Sequence, residues 1–123
     1  MIEPLEQMPE GVIGFRASGH VTADDYRDVL LPPMKAQVEA GEVRLVYAIG
    51  PGFEKFEAGA LVQDSKVGLT LGIGHIHAWK KCAIVTDTEW VVKAIHAFGF
   101  MSPGEVATYP LDQLDAAAEW AAA

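Results

Sequence analysis

The sequence predicts one α/β domain, with about five strands in a mixed sheet and about four helices mainly on one face. Three observations predict it. Short extended segments are repeatedly followed by longer stretches of helical period. Residues 43–49 alternate unequally, with Val43, Leu45, Tyr47 and Ile49 on one face and Arg44, Val46 and Ala48 on the other. One face therefore looks fully covered and the other less so. Finally, 123 residues that are 50% apolar suffice for a single hydrophobic core, and no repeat or linker divides them.

Residues 3–8 and 12–18 read as two strands joined by the Pro9-Glu10-Gly11 turn, an antiparallel hairpin. A helix should begin near Thr22, whose hydroxyl can cap it, with Asp24 and Asp25 in the first turn where the helix dipole favours carboxylates. Tyr26, Val29, Leu30, Met34 and Val38 mark its inward face. Pro32 and Pro33 remove amide donors within that pattern, so the helix should kink or restart there, and Gly41 should end it.

The strand at 43–49 is expected to stop at a Gly50-Pro51-Gly52 turn, followed by a helix over 58–71 with Leu61, Val62, Ser65 and Leu69 inward. Residues 82–86 form the next strand and 88–98 a helix whose apolar residues are Trp90, Val91, Ala94, Ile95 and Phe98. A last strand at 105–109 and a closing helix from Leu111, using Leu114, Ala118 and Ala121, complete the chain. Right-handed crossovers advancing in one direction place their helices on the same side of the sheet.

Composition narrows the function classes. A net charge of −8, with only Lys80 and Lys81 adjacent among the basic residues, opposes binding to phosphate backbones and to anionic lipid. The N-terminus has no basic region followed by a long apolar run, so a cytoplasmic location is expected. Cys82 is the single cysteine and sits in a strand, which makes it a small core residue rather than a nucleophile. No stretch reaches the ~20 apolar residues of a membrane-spanning helix. No Gly-rich phosphate loop or Gly-x-Ser-x-Gly elbow occurs.

Four stretches in order carry a resemblance: Gly19-His-Val-Thr-Ala-Asp-Asp-Tyr26, Gly59-Ala-Leu-Val-Gln-Asp64, Ala83-Ile-Val-Thr-Asp87 followed by Trp90, and Tyr109-Pro-Leu-Asp-Gln-Leu-Asp-Ala-Ala-Ala-Glu-Trp120. With their spacing the chain resembles the SpoIIAA-like family of STAS-type fold nearly end to end. The resemblance implies a βα superhelix with a helix-backed sheet. STAS relatives include anti-anti-sigma regulators switched by phosphorylation of a Ser or Thr at the start of the helix after the central strand. Here residues 50–60 contain no hydroxyl side chain, and Ser65 lies later, on the apolar face of the expected helix. The fold is also similar to lipid-carrying CRAL-TRIO domains, an analogy at fold level.

Candidate chemistry is sparse. His75 and His77 have metal-ligand flavour, and His96 could approach from another helix, but flanking glycines leave their geometry open and no further ligand is identifiable, so surface or loop histidines are the favoured reading over a site. Asp24, Asp25 and Asp28 are explained by capping and solvation, while Asp64 and Asp87 are suited to orienting loops at one end of the sheet. Phe53 and Phe56, followed by a Gly-rich apolar segment to Trp79, fit either a core helix whose glycines permit close packing, or a gate over an apolar pocket or an exposed contact surface.

The leading reading is a non-enzymatic binding or regulatory module without a cofactor. It would recognise an apolar small molecule, a lipid or a protein partner through Phe53, Phe56, Leu69, Ile73, Ile76 and Trp79. A homodimer through the less covered face or the apolar segment is expected, and that segment leaves peripheral membrane contact open. The competing readings are a metal-dependent hydrolase using His75 and His77, and an anti-sigma-antagonist-like adaptor with Ser65 as its phosphosite.

Overall fold

The computed structural model describes residues 1–56, 78–98 and 104–123, with 51–56 and 98 described through their backbone alone. Five strands form one sheet in the order β1-β2-β3-β4-β5. They are β1 (Ile2–Pro4), β2 (Ile13–Val21), β3 (Val43–Phe56), β4 (Trp79–Thr86) and β5 (Glu105–Tyr109). The expected hairpin is present, β1 running antiparallel to β2 with Ile2 opposite Ala17. The remaining pairs are parallel.

The sequence around Thr22 folds as its residue types dictate. Thr22 caps α1 (Ala23–Asp25) in a reciprocal box: its amide donates to Asp25 Oδ2 at 2.8 Å, and the Asp25 amide donates to its hydroxyl at 3.3 Å. A π-helical turn, Tyr26–Leu30, then leads into α2 (Leu31–Ala40), whose first turn holds Pro32. The α-helical bonding thus restarts at the prolines. The helical backbone is continuous through this junction, the Leu31 amide reaching back five residues to the Tyr26 carbonyl, and the wider turn accommodates prolines that have no amide to donate. Gly41, at φ 85°, closes α2 in the left-handed conformation and donates to the Val38 carbonyl at 3.0 Å.

Two cores sit on opposite faces of the sheet. On the first, Val43, Leu45, Tyr47 and Ile49 pack with Tyr26, Leu30, Met34 and Val38, and with Val91 of α3 (Glu89–Phe98). On the second, Val46, Ala48, Ala83 and Val85 meet Ala117, Ala118 and Ala121 of α4 (Leu114–Ala122). Helices α1 to α3 follow the one-sided rule for right-handed crossovers. Helix α4 follows the last strand, where no crossover constrains it, and folds back over the other face. Lys81 fastens it there: its Nζ lies 4.9 Å from the Trp120 ring centroid and donates to the Trp120 carbonyl at 3.1 Å.

One expectation is corrected. The Gly50-Pro51-Gly52 segment does not turn, and β3 continues to Phe56. The β2–β3 register explains this, because it jumps from Ala17↔Ile49 to Gly19↔Phe53 and so leaves a bulge holding the Gly-Pro-Gly residues. Trp90, counted among the apolar residues of its helix, is 61% exposed, while Val91 is buried and Ile95 packs on the first core. The helix expected at 58–71 lies outside the described residues.

Candidate functional site

Open parallel sheets bind ligands beyond the carboxyl ends of their strands at the point where strand order reverses; this sheet runs in sequence order without such a reversal, so its carboxyl rim stands on the residues it gathers. Here that rim contains the ends of β2 and β3, the start of α1, the Thr86–Thr88 corner and the start of α3. Strand β2 reaches it through Gly19, whose φ of 56° accompanies an irregularity in the ladder. The β3–β4 ladder ends at Ile49↔Thr86, yet β3 runs on from Gly50 to Phe56 along β2. Phe53 falls in register with Gly19, and Phe56 with Val21. Among the described residues, the β4-facing edge of this overhang has no strand partner.

The acidic groups of the rim are structurally engaged. Burial pushes the Asp25 carboxyl up, but bonds from the Thr22 amide and hydroxyl and the Met1 ammonium at 3.5 Å outweigh it, leaving Asp25 below the usual carboxylate range. Asp24 and Asp28 both pair with Arg27, at 2.8 and 3.0 Å. Hydrogen bonding to Arg27 holds the Asp28 carboxyl below its ordinary value. Asp87 accepts from the Leu111 amide at 3.1 Å, which braces the turn after β5, and the Thr86 hydroxyl accepts from the Thr88 amide at 3.0 Å. Asp87 therefore orients a loop, as expected from the sequence.

The remaining candidates fall in other places. Burial pushes the Cys82 thiol up to about 12, so it stays protonated and packs against the first core. His96 Nε2 lies 3.1 Å from Thr108 Oγ1. Among the described residues no three His, Cys, Asp or Glu side chains are gathered to hold a metal, and no helix is long and apolar enough to cross a membrane. His75, His77, Ser65, Leu69, Ile73 and Ile76 lie outside the described residues.

The structure does not bring Trp79 to Phe53 and Phe56. Trp79 pairs with Val43 at the opposite end of the sheet and packs on the first core. At about 3.3 Å per residue, Phe53 is roughly 30 Å further along β3. Trp90 is the rim residue that sequence reasoning missed. Its exposure in the first turn of α3 puts a large aromatic at the same end of the sheet as the β3 overhang. An apolar residue inside a helical stripe carries no local signal separating a core position from an exposed one.

A family model described as SpoIIAA-like matches residues 12–122. The chain is also similar to the crystal structure of an uncharacterized protein from the DUF3478 family with a SpoIIAA-like fold from Shewanella loihica PV-4. The TM-score is 0.70 at 21% identity, covering 97% of this chain and 92% of that one. None of the curated proteins matches.

Proposed function

The chain belongs to the SpoIIAA-like family, and from that premise we propose that it is a non-catalytic binding module taking an apolar small molecule or lipid at the carboxyl rim of its parallel sheet. One observation carries the reading: β3 overhangs the β4 ladder from Gly50 to Phe56 and places two aromatic residues, Phe53 and Phe56, beyond the carboxyl end of its neighbour. Gly19 leaves the register position beside Phe53 without a side chain. The Asp25 and Asp87 carboxylates at this end serve a cap and a turn, which supports binding rather than acid-base chemistry.

Native mass spectrometry of freshly purified protein tests the ligand. A co-purifying apolar molecule, or stoichiometric uptake of a long-chain fatty acid that weakens about tenfold or more in Phe53→Ala/Phe56→Ala, is the expected result. Protein that neither retains nor takes up such molecules contradicts it. A second reading, a protein partner at the same rim, is favoured by the exposure of Trp90, since tryptophan is enriched among residues that anchor interfaces. Loss of partner binding in Trp90→Ala, with fatty-acid uptake absent from the wild type, would select it.

A further inference from the structure

Both faces of the sheet carry buried cores, so its two outer strands, β1 and β5, are where its backbone can still take a partner. The two edges differ. β1 is three residues long and carries Glu3 and Pro4, a charge and a residue without an amide, both of which discourage a further strand. β5 has neither device along Val106-Ala107-Thr108-Tyr109, an uncharged run rich in β-formers. Among the described residues its backbone bonds only to β4. Ala107 is half-buried although Ala83, its neighbour on β4, is fully buried, so the described residues leave this edge open. The one charge of β5, Glu105, lies 4.0 Å from Lys81 Nζ.

Alternate residues of a strand turn their amide and carbonyl outward, so an antiparallel partner must match outward-facing residues with outward-facing residues. For a second copy of β5, the register centred on Ala107 meets this condition and pairs the whole strand. It sets Val106 opposite Thr108, Ala107 opposite itself and Glu105 opposite Tyr109. Val106 and Thr108 share the face of the first core, where their β4 neighbours are Cys82 and Ile84, and an apolar residue there meets a β-branched one across the strands. The two Glu105 carboxylates fall at opposite ends, about 13 Å apart along the strands. Each keeps its own Lys81, so the contact is near neutral in a chain of net charge −8. A foreign strand chosen by charge would bring lysines, for which Val106 to Tyr109 offer no counter-ion. We propose that β5 pairs antiparallel with β5 of a second copy of this chain, joining two five-stranded sheets into one. The twofold axis through Ala107 closes the assembly at a dimer and leaves only the protected β1 edges outside. The inference is independent of ligand binding at the rim.

The test is sedimentation equilibrium of the full chain from about 10 μM to about 1 mM, a range chosen because a single strand pair stands at the weak end of specific interfaces. The mass should move from one chain towards two. Because the copies repel each other through their net charge, association should tighten by about twofold or more between about 0.05 and about 0.5 M salt. Ala107→Lys and Ala107→Glu each set like charges directly opposite at the axis, and each should weaken association about threefold or more, while an equimolar mixture of the two should recover it. Hydrogen exchange on the unaltered chain decides the matter even where a variant fails to fold: exchange at residues 105–109 should slow as concentration rises, and exchange at 2–4 should not. A single-chain mass at about 1 mM, association that weakens with salt, folded variants that mix no more tightly than either alone, or β5 exchange that ignores concentration would each overturn the proposal.

Discussion

Gly104 stands before β5 at φ 74°, with the Trp79 carbonyl oxygen 2.8 Å and the Lys80 oxygen 3.0 Å from where a Cβ would be. Any side chain there meets backbone that cannot rotate away, in a conformation L-residues avoid. Gly104→Ala should therefore lower stability by about 1–3 kcal/mol in chemical denaturation, although the position is exposed. Asp25 makes a second residue-scale prediction, with its sign set by its lowered pKa. A folded-state pKa below the unfolded one, about 3.9, gives stability present above that value and lost as pH falls through the folded pKa. Wild type should exceed Asp25→Asn by a constant margin between about pH 5 and 7, and the margin should shrink below about pH 4. Denaturation midpoints across that range would show it, and a margin growing on acidification would contradict the sign. The Thr22–Asp25 cap was legible in the sequence because its partners lie three residues apart, whereas the loop-orienting use of Asp87, which accepts from the Leu111 amide 24 residues on, came only through the family resemblance.

At the scale of the elements, what could be read from local pattern was what local pattern determines. The alternation at 43–49 assigned Val46 and Ala48 to one face and Val43, Leu45, Tyr47 and Ile49 to the other, and the two cores divide along that line. Gly50-Pro51-Gly52 misled because its residues favour turns in isolation, while its conformation is set by a bulge against β2, a partner distant in sequence. The placement of α4 on the second face was equally hidden, since handedness rules speak only of helices between parallel strands. That helix presents Ala117, Ala118 and Ala121 inward, the first and last fully buried. Short side chains let it approach the sheet closely. Ala121→Leu should cost about 1–3 kcal/mol through overpacking, whereas the exposed Ala116→Leu should be nearly neutral. A thermal melt of the two variants separates a closely seated helix from a loosely resting one.

On the scale of the whole molecule, the parallel strands divide the protein into two ends of different character. The amino end holds Trp79 against the core and the Gln37 and Arg44 bonds. The carboxyl end holds the β3 overhang, the capped start of α1 and Trp90. The sequence marked Phe53 and Phe56 as site candidates through their aromatic character beside glycines, but could not separate them from Trp79, because proximity along the chain says nothing about which end of a sheet a residue reaches. The most direct measurement of the binding reading is therefore positional: amide chemical-shift mapping of the intact protein titrated with a long-chain fatty acid. The account predicts saturable shifts concentrated at Gly19 to Val21, Phe53 to Phe56 and Trp90. Saturation with shifts confined to the Trp79 end of the sheet, or no saturable shift at all, would contradict it.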